Sequence, residues 1–288
     1  MFKDIEYREN ENLAKHTTLH IGGNARWFLL PKDEIELEAI VYECKLIGTD
    51  FFILGAGSNL LVSDDGYHGA VISMENFAGI TILDDEKIRV GSGVNLFTLN
   101  AFCEKNGLSG LEWSYGIPGS VGGACKMNAS AFGGEFCKNI IEIIVFNGVS
   151  IKKRKNISYG YRKGCLRENE ILLSVTLKLE KRDKKEIKDK QNLYLNKRQI
   201  NQPYGEFSLG SVFKRGQNFF PAKLIDDFGF KGFSVGDIEV SKKHAGFIIN
   251  KGSGKAKDFL SVVEEIENFA KKKGYLFERE FVSIGFKE

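Results

Sequence analysis

The sequence predicts an α+β protein of two or three compact domains, and three observations carry that reading. The opening segment follows a β-α-β pattern, the middle of the chain sets strands around one helix and a glycine-rich interruption, and 288 residues exceed one small module. Hydrophobic residues make up 42% and charged residues 27%, the balance of a folded chain and not of a disordered one.

Pro31 to Gly48 reads as a helix. Proline can open it, acids fill its first turns, and Ile35, Ala39, Val41, Tyr42, Cys44 and Leu46 form a rough stripe before Gly48 stops it. Phe51 to Leu54 is a short buried strand that runs into Gly55-Ala-Gly-Ser-Asn59, and Leu60 to Met74 is further strand broken at Asp64-Asp65-Gly66. Lys87 to Val90, Ile140 to Phe146 and Ile171 to Leu179 read as strands, the last with Ile171, Leu173, Val175, Leu177 and Leu179 on one side. Leu96 to Lys105 is a helix with Leu96, Leu99, Phe102 and Cys103 inward. The run Lys181 to Lys190 is a solvated helix start or linker, followed by a helix over Ile187 to Ile200. A loop over Ser208 to Phe220 comes next, then a helix from Asp258 to Lys273 with Phe259, Val262, Val263, Ile266 and Phe269 inward, and a last strand from Leu276 to Ile284.

Composition excludes several classes. With 41 Lys+Arg against 38 Asp+Glu the net charge is only +3, so nucleic acid is not the expected partner. The longest uncharged run, Val90 to Cys103, holds two glycines and falls short of the about 20 apolar residues a membrane span needs, so no membrane insertion is expected. The start, MFKDIEYREN, lacks an apolar signal core, and five cysteines form no Cys-x-x-Cys pair; reduced thiols in a cytoplasmic protein are the simplest reading. The four histidines show no ligand spacing, so no metal site is expected.

Three clusters carry chemistry. Gly55 to Asn59 follows a strand, and glycines there let backbone N–H groups close on an anion. Leu60 stands where a dinucleotide fingerprint needs its third glycine, and no Gly-Lys-Ser/Thr end makes a P-loop, so by itself the loop is a phosphate cradle or an ordinary turn. Gly116-Ile-Pro-Gly119-Ser-Val-Gly122-Gly123, running on to Asn128 and Gly134, is too poor in side chains to build a core; it is either a long irregular loop or a main-chain surface for a flat or phosphorylated ligand. Gly210-Ser211-Val-Phe-Lys214-Arg215, with Lys223 and His244 downstream, groups a hydroxyl, cations and an imidazole, and no nucleophile elbow surrounds Ser211. The residues alone indicate an α+β enzyme that binds a phosphorylated cofactor through glycine-rich loops.

In order along the chain, these motifs resemble one family. His16-Thr-Thr-Leu-His-Ile-Gly-Gly23, Leu54-Gly-Ala-Gly-Ser-Asn-Leu-Leu61, Gly116 to Gly123, Tyr159-Gly-Tyr-Arg162, Gly210-Ser-Val-Phe-Lys214, Val240 to Asn250 and Glu278-Arg-Glu280 look like the UDP-N-acetylenolpyruvoylglucosamine reductases, flavoenzymes of bacterial cell-wall synthesis. The resemblance runs from about residue 11 to 285, and its late motifs are the specific ones. Only 49 positions separate Arg162 from Ser211, which matches the shorter branch lacking an extra tyrosine loop.

The resemblance implies a two-subdomain FAD-binding fold, of the vanillyl-alcohol-oxidase-like (PCMH) kind, plus a smaller α/β substrate-binding domain. The expected divisions are 1–74 and 75–200 for FAD, with 275–288 returning to the second, and 201–274 for substrate. It implies non-covalent FAD held by Leu54, Gly55, Ala56, Gly57, Ser58, Asn59, Leu60, Gly116, Ile117, Pro118, Gly119, Ser120, Gly122, Gly123, Asn128 and Ala129. NADPH is the implied co-substrate. Hydride passes to the flavin and then to C3 of a UDP-sugar enolpyruvyl group, giving UDP-N-acetylmuramate. Ser211 matches the proton donor to C2, and Arg162 and Glu280 match the pair at the substrate carboxyl, Glu280 donating if protonated. Lys214, Arg215, His244 and Tyr161 are implied substrate contacts, and a monomer is expected. Arg215 and Gly164 stand where some relatives carry asparagine and serine. A related FAD oxidoreductase of another substrate, or a non-catalytic sugar-nucleotide-binding protein, are the rival readings.

Overall fold

A computed structural model describes residues 2–286; Met1, Lys287 and Glu288, at the ends of the expected 1–74 and 275–288 segments, lie outside the described residues. The chain forms two compact units. Unit 1 takes the residues up to Glu9, Trp27–Ala56 and Gly69–Lys197; unit 2 takes Asn10–Arg26, Gly57–His68 and the chain from Arg198 onward. Six α-helices lie among the described residues: α1 (Glu34–Leu46), α2 (Leu96–Lys105), α3 (Val121–Met127), α4 (Lys184–Asn201), α5 (Pro221–Asp227) and α6 (Ala256–Lys272).

In unit 1, the strand Phe51–Leu54 pairs in parallel with residues 70–73, Phe51 opposite Ala70. Helix α1 begins later than Pro31 suggests, because the Asp33 carboxylate accepts the Glu36 N–H at 2.9 Å and fixes the first turn. Its buried face is Leu37, Ile40, Val41 and Cys44, packed with Trp27, Leu29, Ala70 and Ile72. Ile35, Tyr42 and Leu46, expected inward, are 77%, 69% and 72% exposed. Apolar residues surround this helix, so local periodicity offers two stripes and tertiary packing selects the i, i+3, i+4, i+7 set.

A five-stranded antiparallel sheet follows, in the order Ile151–Arg154, Ile140–Phe146, Ile171–Lys178, Lys87–Gly91, Ile80–Ile82. The expected alternation along Ile171–Lys178 does not hold across the whole strand. Ser174 opposes Ile144 and Leu172 opposes Val145, so Leu173 is an extra residue. This bulge reverses the facing. Ile171 and Leu173 join the α1 core, while Leu172, Val175 and Leu177 join the α2 and α3 core. Helix α2 spans the predicted residues, with Leu96, Leu99 and Cys103 buried and the Asn95 side chain accepting the Phe97 N–H.

The glycine cluster is not wholly irregular. Ser120 caps α3, its hydroxyl accepting the Gly123 N–H at 3.3 Å, and Asn128 ends the helix in the left-handed region at φ 43°. Asparagine tolerates that conformation better than other side-chain-bearing residues.

Unit 2 contains an antiparallel sheet ordered Phe207–Ser211, Phe247–Asn250, Ile238–Val240, Ser234–Val235. The segment read as a loop from Ser208 thus begins as strand. Helix α6 buries Phe259, Val262, Val263 and Ile266 with Leu209, Val240 and Ile248, as its spacing predicts. The last regular strand is Val282–Ile284, and it pairs in parallel with Leu60–Val62. The expected return of 275–288 therefore goes to Leu60–Val62 in unit 2 and not to the five-stranded sheet, whose edges are Ile151–Arg154 and Ile80–Ile82.

All five cysteines are free and buried. Burial pushes the Cys44 thiol up to about 11 and the Cys103 thiol up to about 12. The Cys137 thiol and the Cys165 N–H both donate to the Cys125 carbonyl, at 3.7 and 3.2 Å. Native protein is expected to leave an aromatic disulfide reagent unreacted at pH 7, whereas denaturant releases all five thiols. Rapid native labelling would contradict this burial.

Candidate active site

In unit 1 the elements around α3 present bare main chain. The Val121 and Gly122 N–H groups donate to Val94 and Ser92 carbonyls at 2.9 and 2.7 Å, and Leu96 N–H donates to the Gly119 carbonyl at 2.9 Å. These bonds pin the loop, Ile117 packs on the core, and Gly116 turns at φ 85°. The N–H groups of Gly55, Ala56, Gly119 and Ser120 find no acceptor among the described residues. A Cβ on Gly55 would stand 2.5 Å from the Ser120 hydroxyl oxygen. Unused donors beside a glycine that must stay bare suit a phosphorylated cofactor approached by main chain, so these residues fit FAD.

Not every expected cofactor residue has groups to offer. The Asn128 and Ala129 N–H groups both donate to the Ala124 carbonyl. The Asn128 side chain is 1% exposed; its Nδ2 donates to Glu135 Oε2 and the Gly160 carbonyl, both at 2.9 Å, and its Oδ1 accepts the Cys137 N–H at 3.1 Å. Asn128 fastens the protein to itself. Leu54 and Leu60 have buried side chains, and the Leu54 carbonyl accepts the Met74 N–H at 3.1 Å.

Tyr161 and Arg162 form the tip of a tight hairpin closed by two bonds between Gly160 and Lys163, at 2.8 and 3.1 Å. Arg162 sits at φ 51°, its Nη1 donates to Ser130 Oγ at 2.5 Å, and its guanidinium lies 5.3 Å from the Tyr161 ring centroid. Gly164 is required by packing, since a Cβ there would strike the Cys125 carbonyl, and this accounts for the absent serine.

Unit 2 gathers Ser211, Lys214, Glu280 and Asn59 around one extended segment. The register slips between Ser208 and Ser211, and Gly210 takes φ 87°, a glycine conformation that re-aims the following serine. Glu280 N–H donates to the Val212 carbonyl and Lys214 N–H to the Glu278 carbonyl, both at 2.8 Å. On the other side Asn59 Nδ2 donates to the Glu280 carbonyl at 3.1 Å, and Val282 N–H to the Asn59 carbonyl at 3.0 Å. The Lys214 ammonium pairs with Glu278 at 2.6 Å, so its charge is directed to a carboxylate of the same segment. Arg215 is exposed.

His244 Nδ1 accepts the Gly246 N–H at 3.1 Å, which places the proton of the neutral ring on Nε2. Burial, with the nearby Lys231 charge, lowers its pKa below the usual histidine range. A neutral imidazole with a fixed N–H is a directional donor.

Two groups of residues gained a role only from the fold. Thr18 donates from its hydroxyl to the Ser208 carbonyl at 2.6 Å and from its N–H to the Gly57 carbonyl at 3.2 Å, so the His16–Gly23 motif braces Gly57 and the Ser211 strand. Ser130, in the strand Ser130–Ala131, meets Arg162; nothing in the local sequence signals that contact. Among the described residues no group of three or more His, Cys, Asp or Glu is placed to hold a metal ion, and no helix is long and apolar enough to cross a membrane.

A family model described as an FAD binding domain matches residues 25–148, and one described as the C-terminal domain of UDP-N-acetylenolpyruvoylglucosamine reductase matches residues 202–284. The chain is 39% identical over 270 residues to a protein of that name from Clostridium tetani, covering 92% of this chain and 88% of the relative. It is 38% identical over 269 residues to one from Fervidobacterium nodosum, with coverages of 92% and 87%. The crystal structure of the Thermus caldophilus enzyme of that name superposes with a TM-score of 0.83 at 33% identity, covering 98% of this chain and 99% of that one.

Proposed function

The chain belongs to the UDP-N-acetylenolpyruvoylglucosamine reductase family, and on that premise we propose how its residues divide the reaction. It is an FAD-dependent oxidoreductase that reduces UDP-N-acetylglucosamine enolpyruvate to UDP-N-acetylmuramate, a step in peptidoglycan precursor synthesis. The observation that carries the assignment of roles is the segment that holds Glu280 beside Val212, directly after Ser211, in unit 2.

FAD, when bound, would supply the hydride-transfer chemistry between NADPH and C3 of the enolpyruvyl group that side chains lack. The main chain of Gly55, Ala56, Gly119 and Ser120 would hold it non-covalently. Hydride addition at C3 pushes charge into an enolate spread over C2 and the carboxylate. Arg162 meets that charge as a planar fork on the carboxylate, where fixed donors lower the barrier. Glu280, if protonated, would donate to the same carboxyl group, and the Ser211 hydroxyl gives its proton to C2. The enolate is the base that so weak an acid needs. His244 offers Nε2–H to the substrate, and Tyr161, Lys214 and Arg215 line its approach. Residues 1–74 and 75–200 serve the cofactor and 201–274 the substrate, in a monomeric cytoplasmic enzyme.

Purified protein is expected to be yellow. Anaerobic NADPH should bleach it, and UDP-N-acetylglucosamine enolpyruvate should then restore the colour. A colourless protein that takes up no added FAD, or a bleached protein that the substrate fails to reoxidise, would sink this reading.

A further inference from the structure

We propose that Ser130 is a positioning residue for Arg162. The inference rests on the reading that Arg162 meets the substrate carboxylate, and it adds a residue to which that reading assigns nothing.

Arg162 has two liabilities as a fixed fork. It sits at the tip of a two-residue turn, and its φ of 51° lies in a region that side-chain-bearing residues seldom occupy. Its long side chain must also be held in one plane, because a bidentate match to a carboxylate is lost when the guanidinium rotates. Unit 1 answers each. Asn128, buried to 1%, donates to the Gly160 carbonyl and anchors the base of the turn. Ser130 Oγ accepts from Nη1 at 2.5 Å, while the Tyr161 ring lies 5.3 Å from the guanidinium carbon. One edge of the fork is thus tied to a hydroxyl and one face is covered by an aromatic ring.

The hydroxyl is itself well held. Ser130 pairs with Glu135 across a short hairpin, and Glu135 accepts from the same Asn128 amide at 2.9 Å. In that hairpin Gly134 lies against the Trp113 ring so closely that no Cβ fits, and Trp113 is buried. The chain from Asn128 to Glu135 is thus a braced mount that presents Ser130 Oγ to the arginine. Alanine at 130 keeps the strand and deletes that contact, so this edge of the guanidinium loses its tie to the mount.

The test compares Ser130→Ala, Ser130→Thr, Arg162→Ala and the Ser130→Ala/Arg162→Ala double variant in anaerobic stopped flow. Ser130→Ala is expected to lower the rate of reoxidation by UDP-N-acetylglucosamine enolpyruvate about tenfold, since misplacing a positioning group by an ångström costs up to about a hundredfold. NADPH reduction should stay within about twofold of wild type, Ser130→Thr should recover most of the loss, and in the Arg162→Ala background the alanine should add no more than about twofold. Wild-type reoxidation in Ser130→Ala, beside a crippled Arg162→Ala, would overturn the positioning role alone. A loss that persists without Arg162, or that slows NADPH reduction equally, would overturn it too. Wild-type reoxidation in Arg162→Ala would instead reject the carboxylate reading on which it stands.

Discussion

Ser211→Ala is expected to bind FAD and to be reduced by NADPH at the wild-type rate, yet to be reoxidised by UDP-N-acetylglucosamine enolpyruvate about 10² to 10⁴ times more slowly, the usual worth of a positioned acid. The substitution is small and its site tolerates it. Ser211 ends a strand whose backbone partner is Phe247, and the next residue is secured by Val212 N–H to the Gly246 carbonyl at 2.9 Å. Alanine keeps those bonds, so the loss falls on chemistry and not on folding. Because the hydroxyl does not titrate near neutrality, the deficit should persist across pH 6 to about 9. Undiminished reoxidation would remove Ser211 as the donor, and slowed reduction by NADPH would show that the change reaches beyond proton transfer.

The second large effect is Gly57→Val, for a reason other than the one the sequence suggests. The local pattern places an anion against Gly57, so that a side chain would displace a phosphate. In the fold a Cβ at Gly57 would strike the His16 carbonyl, and the residue holds φ 62°. A β-branched side chain is among the worst fits to that region. The expected cost is about 3 kcal/mol or more from strain and overpacking, a fall of about 6 to 12 °C in melting temperature, present before any cofactor is added. Gly55→Ala is the contrasting variant, since its conflict is with the Ser120 hydroxyl at 2.5 Å and its main cost should be FAD affinity. An apo Gly57→Val protein that melts like wild type but binds no FAD would restore the phosphate explanation.

What the sequence discloses here is what local chemistry decides. Phe51–Leu54, Ile140–Phe146 and α2 appear where apolar pattern and turn residues place them. The α1 face did not, because two apolar stripes compete there and only packing chooses. The extra residue at Leu173 and the partner of Val282–Ile284 depend on bonds between residues far apart in sequence, whereas the helix inside the glycine cluster rests on a local serine cap hidden among glycines. The same division runs through the site. Ser211, Arg162 and Glu280 stand in motifs that a family pattern marks. Ser130 and Asn128 act through contacts of 32 positions' separation, to Arg162 and Gly160 respectively, which no local window contains. His16–Gly23 was visible as a motif, but its work as a brace for Gly57 needed the fold.

The stretch from Glu278 to Val282 is a crossbar with Val212 and Lys214 on one side and Asn59 on the other. Four of its bonds to these neighbours end on main-chain carbonyls at 2.8 to 3.1 Å, which leaves little slack for either neighbour to shift alone. Asn59 is thereby linked through Glu280 to Val212, the neighbour of Ser211, and any coupling carried along that link acts on both ends with the same free energy. The hydrogen-bond path from Asn59 to Val212, the residue after Ser211, thus runs through a five-residue strut rather than through either loop.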